Sequence, residues 1–275
     1  MVAATFADLD LSRPQIMGIL NVTPDSFSDG GRYTNLTDAL LHAETMAAEG
    51  ATLIDVGGES TRPGAKPVST QQELDRVIPV IAAIAAQLPV AISVDTSKAA
   101  VMREAVQAGA SLINDVNALQ GEQAQDTALA LGVPVCLMHK QGEPDNMQHQ
   151  PHYTDVVHEV RTFLQTRAES LLAAGMSAGQ ILLDPGIGFG KTLAHNLALL
   201  RELHTFTQTG HPVLIGISRK SMLGTITGRA TTDRIAASVA ATTLALQQGA
   251  NILRVHDVSP TLDALKVWSA IQQGS

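Results

Sequence analysis

Cysteine is nearly missing from this 275-residue chain, and the one thiol, Cys136, rules out an internal disulfide. It lies in the apolar run "VPVCLMH" and reads as an inert core thiol. Basic residues are outnumbered, 18 against 26 acidic for a net charge of −8, and no Lys/Arg cluster stands out. That balance excludes a nucleic-acid footprint. A small anionic ligand is still admitted, because a few cations focused in one cleft outvote the net charge. Charged residues are 16% of the chain and apolar ones 45%, so a large core is available and disorder is excluded. Uninterrupted apolar runs long enough for a membrane are lacking too. Val77–Val94 is broken by Pro79, Gln87 and Pro89 and reads as helix, turn, then strand. Ile235–Leu253 carries Ser238, Thr242, Thr243, Gln247, Gln248 and Asn251, which suits a packed helix followed by a strand. The opening "MVAATFADLDLSRP" has neither the basic start nor the apolar core of a signal peptide, so the expectation is a soluble, cytosolic protein.

What is present is a repeat. Short β-branched apolar runs recur along the chain: "IMGILNV", "TLIDVGG", "VAISVDT", "SLINDVN", "VPVCLMH", "ILLDPGI", "VLIGIS" and "NILRVHD". Between them lie segments with helical spacing, several closing on a glycine (Gly50, Gly109, Gly132, Gly175, Gly249) where a left-handed cap is expected. Continuous rather than alternating apolar runs imply parallel strands buried on both faces. Eight such units predict one (β/α)8 TIM barrel, class α/β, spanning 1–275 as a single domain. A doubly wound open sheet is the rival. The barrel is favoured because nearly every run ends in a group able to do chemistry: Asn21, Glu59, Asp95, Asn114, His139, Asp184, Lys220, then Arg254 and His256. A barrel brings these to one mouth, whereas an open sheet strands many along an edge.

Some local motifs fail. "DPGIGFGKT" has only three residues between Gly186 and Gly190 where a Walker loop needs four, and its glycines do not follow a dinucleotide fingerprint. His149 and His152 lack further ligands at zinc spacing and read as solvated loop histidines. The ordered set is another matter: "NVTPDSFSDGG", "DVGGESTRPG", "SVDTSKA", "INDVNA", "DPGIGFGK", "GISRKS" and "RVHDV", each at a predicted strand end. Together, from about Gln15 to Val258, these motifs closely resemble the dihydropteroate synthase family of pterin-binding enzymes. The resemblance implies a homodimeric (β/α)8 barrel, a target of sulfonamides, in folate biosynthesis. The reaction it implies joins 6-hydroxymethyl-7,8-dihydropterin diphosphate to p-aminobenzoate, releases pyrophosphate and uses Mg²⁺.

The residues suit those ligands. The resemblance places Asp184, a carboxylate matching two adjacent ring donors, against the pterin, with Asn114 and Asp95 along the same edge. Lys220 would meet the ring carbonyl and N5, Met138 and Phe189 would sandwich the ring, and Gly216 and Arg254 complete the pterin set. For the diphosphate it implies Asn21, Thr61, Arg62, Arg254 and His256, with Asn21 also the magnesium contact, a hard oxygen donor. For p-aminobenzoate it implies Phe27, Thr61, Pro63, Phe189, Arg219 and Ser221. The expected catalytic set is Asn21, Asp25, Arg62, Lys220, Arg254 and His256. Bland readings stand beside these: strand-end Asp95 or Asp184 as turn caps, Arg254 in a rim ion pair with Asp257, His256 as a satisfied imidazole, and "GGESTRPG" as a plain surface loop. The stretch Thr23–Gly31 is overlong for a βα connection and is expected to act as a lid, with Asp25 pairing to Arg62. Two other functions would fit parts of the pattern: a methyltetrahydrofolate:corrinoid methyltransferase, which has no use for a diphosphate site, and a silent pterin-binding paralogue, which should have lost anion-binding residues.

Overall fold

The computed structural model describes residues 5–6, 9–23, 32–60, 64–65, 67–142, 147 and 149–273. Eight parallel strands make one sheet: β1 (Gln15–Asn21), β2 (Leu53–Gly57), β3 (Ala91–Asp95), β4 (Leu112–Asp115), β5 (Val135–Met138), β6 (Ile181–Asp184), β7 (Leu214–Ile215) and β8 (Ile252–Val255). Neighbours in sequence are neighbours in space from β1 to β6, and β8 pairs with both β1 and β7. A parallel bridge from Leu183 to Val213 brings the ends of the sheet together, so the sheet rolls into a nearly closed barrel. An open doubly wound sheet is thereby excluded.

Helices follow the strands: α1 (Arg32–Ala48), α2 (Thr70–Gln87), α3 (Ala99–Gln107), α4 (Ala124–Leu131), α5 (Val156–Ala173), α6 (Leu193–Arg201), α7 (His204–Thr207), α8 (Ser221–Thr227), α9 (Ile235–Gln247) and α10 (Val258–Gln273). Their ends follow local chemistry. Ser69 and Gln72 form a reciprocal capping box at the start of α2, Asp155 caps α5, and Gly132 ends α4 at φ 67°. The other four expected cap glycines, Gly50, Gly109, Gly175 and Gly249, also take positive φ. Val77–Val94 and Ile235–Leu253 both resolve as helix then strand, as read from their sequence. Among the described residues no helix is long and apolar enough to cross a membrane.

Strand parity divides the apolar residues into two layers. Outward positions such as Ile54, Val56, Val94, Ile113, Leu137 and Leu183 join the large cluster beneath the helices. Inward positions at or near the strand starts, Met17, Leu53, Leu112, Cys136, Leu182, Leu214 and Ile252, form a second cluster. Phe6 completes it from an antiparallel hairpin (Thr5–Phe6 with Leu9–Asp10) that precedes the barrel. This fully buried ring closes the lower end of the barrel as a packed floor. Cys136 belongs to the floor, and burial pushes its thiol well up, as an inert core cysteine requires.

Candidate active site

Two to four residues above the floor, the inward faces of most strands turn polar. In register lie Asn21 beside Gly57, Gly57 beside Asp95, and Asp95 beside Asn114. Across the barrel Met138 pairs with Asp184. A Cβ built on Gly57 would stand 3.7 Å from Asp95 Oδ2 and 3.9 Å from Asn21 Oδ1, so the glycine keeps space between those two groups. Gly216 lies against the stem of Arg254, whose Cβ and Cδ are 3.9 and 4.0 Å from the position of its missing side chain.

Arg254 reaches from β8 across the mouth. Its Nε donates to Asp55 Oδ2 at 2.6 Å and its Nη2 to Asp95 Oδ2 at 2.9 Å. Asn114 Nδ2 donates to the same Asp55 oxygen at 3.2 Å. Burial penalises the guanidinium, but the charges of Asp55 and Asp95 outweigh that and raise its pKa further. Asp95 is pushed up to about 7, by burial first and then by the negative charge of Asp55. The Arg254–Asp257 pair is therefore not formed; Asp257 instead holds Arg219, which donates from Nε at 2.9 Å and from Nη2. Arg254 turns inward because two buried carboxylates there outcompete one at the rim.

At the far side, Asp184 accepts from the Gly186 N–H at 2.7 Å, and burial raises its pKa against the opposing charge of Lys220. Lys220 donates to the Ile187 carbonyl, and its ammonium sits 4.4 Å from the centre of the Phe189 ring. Burial lowers Lys220 to about 8. Met138 is buried beneath Gly186. Nearer the rim, His256 makes two contacts to Ser218 Oγ, through its N–H at 3.2 Å and Nδ1 at 3.1 Å. Ser221 is exposed at the start of α8.

Two loop bases are tied down. Val22 N–H donates to the Gly57 carbonyl at 2.8 Å, joining the exit of β1 to that of β2. Lys98 bridges Glu59 and the buried Glu73, while Arg76 donates to the Gly58 carbonyl at 2.7 Å, fixing the start of the "GGESTRPG" loop on α2. Asp25, Phe27, Thr61, Arg62 and Pro63 lie outside the described residues. So does most of the lid segment that was expected over the mouth.

The barrel thus brings together Asn21, Asp95, Asn114, Met138, Asp184, Gly216, Lys220 and Arg254, drawn from seven strands or their exits. One member escaped the sequence reading. Asp55 is fully buried mid-strand and joins Arg254 to Asn114, yet its Oδ1 has no partner among the described residues. The available signal was an aspartate inside the apolar run "TLIDVGG", a residue type that strands avoid unless something pairs with it. His149 and His152 are exposed, as expected of solvated histidines. Among the described residues no group of three or more His, Cys, Asp or Glu is placed to hold a metal. Asn21 Oδ1, a lone hard oxygen at the mouth, suits an ion that keeps waters and substrate oxygens as its other ligands.

Comparison with known proteins agrees with this geometry. The family described as pterin binding enzymes matches residues 17–256. A dihydropteroate synthase of Haemophilus influenzae is 54% identical over 262 residues, covering 95% of each chain. A Yersinia pestis dihydropteroate synthase solved with a sulfonamide drug superposes with a TM-score of 0.92 at 54% identity, covering 97% of both chains. The Xanthomonas albilineans dihydropteroate synthase in complex with 7,8-dihydropteroate superposes at 0.89 with 49% identity, again over 97% of both. With the fold, the ordered motifs and near full-length identity in agreement, the chain belongs to the pterin-binding enzyme family, among the dihydropteroate synthases.

Proposed function

We propose that this barrel condenses 6-hydroxymethyl-7,8-dihydropterin diphosphate with p-aminobenzoate to give 7,8-dihydropteroate and pyrophosphate, a transferase reaction forming a C–N bond. The observation that carries the reading is the buried polar layer: Asp55, Asp95, Asn114 and Asp184 facing Lys220 and Arg254 over an apolar floor. A flat heterocycle with adjacent N–H donors and one carbonyl needs this mixture of acceptors and cations. Asp184 takes two ring donors, Asn114 and Asp95 pair along the edge, and Lys220 meets the carbonyl oxygen. Met138 lies beneath the ring and Phe189 beside it, with Gly216 leaving room for the Arg254 stem. The family neighbour in complex with 7,8-dihydropteroate supports a site for both halves of that product.

Arg254 and His256, with Arg62 and Thr61, receive the diphosphate. Mg²⁺ would be held by Asn21 and by substrate oxygens, and when bound it supplies positive charge to the departing pyrophosphate. The leaving group sits on a methylene attached to an electron-rich ring, so its departure leaves a cation that the pterin delocalises. Arg254 and His256 stabilise the leaving charge, and the arylamine, already nucleophilic at neutral pH, then attacks in an SN1-like sequence. No strong base is needed. Arg219, Ser221, Pro63, Phe27 and Phe189 form the p-aminobenzoate end. Arg219 reaches it already paired with Asp257, so it contributes an oriented partner rather than a lone cation. Asp25 and Arg62 close the two loops and keep water from the cation.

Pyrophosphate release dependent on both substrates tests the function. Pterin binding without dihydropteroate formation would leave the family and overturn the activity. Release of pyrophosphate from pterin diphosphate alone in a single turnover supports the stepwise order; a strict requirement for the amine or an analogue rejects it. We further propose that the whole chain acts as one domain in a cytosolic homodimer. Support for the dimer comes from exposed apolar side chains on neighbouring helices: Ile226 of α8, Ile235 and Leu244 of α9, and Val267 and Ile271 of α10. Light scattering that finds only monomer at micromolar concentration would reject it.

A further inference from the structure

The glycine-rich turn Gly186–Gly190, which failed as a phosphate loop, is built around a buried lysine. Lys191 is 2% exposed. Its ammonium donates to the carbonyls of Gly186 (2.9 Å), Phe189 (3.0 Å) and His139 (3.2 Å), and lies 3.0 Å from His139 Nδ1. Among the described residues it forms no ion pair with a carboxylate. Burying an ammonium among backbone dipoles alone is costly, and burial lowers its pKa to about 7. His139, buried beside it, is lowered to about 3 and is neutral, so Nδ1 can accept.

The carbonyls of Gly186, Ile187, Phe189 and Gly190 each have a side-chain donor. Lys191 serves Gly186 and Phe189, Lys220 serves Ile187, and the Tyr153 hydroxyl donates to Gly190 at 2.9 Å. Asn196 accepts from the Gly188 N–H at 2.7 Å and is itself bound to the Lys191 and Thr192 carbonyls. The turn is pressed against the exit of β5. A Cβ on Gly186 would meet the His139 carbonyl oxygen at 1.9 Å, and one on Gly190 the Gln141 oxygen at 2.1 Å. Both glycines, with Gly188, take positive φ. Phe189 projects from this turn beside Lys220.

We propose that Lys191 is a positioning residue for the arylamine step: by tying the Gly186–Gly190 turn to the exit of β5 it fixes the place of the Phe189 ring that walls the p-aminobenzoate site. The chain of contacts runs from the ammonium through the Phe189 carbonyl to the Phe189 side chain, without Lys191 reaching substrate. This rests on the reading of Phe189 as part of that wall.

The test is a double-mutant cycle between Lys191→Met and Phe189→Ala, with KM for each substrate, kcat and Tm measured for all four proteins. Lys191→Met is expected to raise KM for p-aminobenzoate about tenfold, as small displacements of a positioning group do, with KM for pterin diphosphate within about threefold. In the Phe189→Ala background the same change should add less than about twofold, because the group it positions is gone. A fall in Tm or in active protein with an unchanged p-aminobenzoate KM, or independent effects in the double mutant, overturns the proposal. If Phe189→Ala alone leaves that KM unchanged, the wall reading fails and takes the proposal with it. Should Lys191→Met not fold, Tyr153→Phe removes one tether at Gly190 and must raise the same KM, by about threefold; no rise overturns the proposal equally.

Discussion

Leu182 and Asp184 stand two residues apart on the same inward face of β6, yet one belongs to the apolar floor and the other to the polar mouth. The same step recurs on β2 with Leu53 and Asp55, on β4 with Leu112 and Asn114, and on β8 with Ile252 and Arg254. Both layers are buried, but they are held by different physics. The floor rests on apolar contact that tolerates no void, the mouth on charges that must find one another. The difference means that stability and chemistry can be perturbed separately along one strand.

The largest separation is expected at Phe6. Phe6→Ala opens the floor and should cost about 3–5 kcal/mol of stability in denaturant melts, with KM for both substrates unchanged in the protein that stays folded. If KM shifts as much as stability falls, the two layers are not independent. The converse is Asp184→Ala, which should weaken pterin diphosphate binding by about 1.5–3 kcal/mol, read by calorimetry, while moving Tm little. Next comes pH. Asp95, raised to about 7, carries its negative charge only above that value, and Lys220, lowered to about 8, keeps its positive charge only below that one. The kcat/KM profile for pterin diphosphate should therefore be bell-shaped with limbs near 7 and 8. Asp95→Asn should abolish the acid limb, and Lys220→Arg should flatten the alkaline one, since arginine does not titrate there. The smallest effect is expected at the rim, where Ser218→Ala removes one partner of His256. It should lower kcat by roughly the 0.5–1.5 kcal/mol of one hydrogen bond, with melting unchanged.

The contrast also explains what could be read from sequence. Eight apolar runs with polar ends are a local signal, so the barrel, the place of its eight strands and the polar ends at Asp184 and Lys220 were legible. Pairing is not local. Arg254 and Asp55 are 199 positions apart, and nothing in "RVHD" says that the guanidinium turns inward to Asp55 and Asp95 rather than sideways to Asp257. Asp55 is not legible from the ends of the runs, because the inward face of β2 begins its polar layer one step earlier, inside the apolar stretch. Lys191 was hidden differently. The glycines around it suggested phosphate, whereas their carbonyls, turned toward one ammonium, form a cation site filled by the chain itself.

The clasp of Arg254 on Asp55 and Asp95 has a consequence for selectivity. Without ligand the mouth is its own competitor: the guanidinium satisfies the carboxylates that, in the proposed reading, a pterin edge would claim. A ring without a diphosphate has to displace that internal partner while offering it nothing in return. A diphosphate without a ring draws the cation away and leaves two buried carboxylates bare. In the proposed reading a molecule carrying both ends gives the carboxylates and the guanidinium new partners at once, so the ion pair would favour the intact substrate over either fragment.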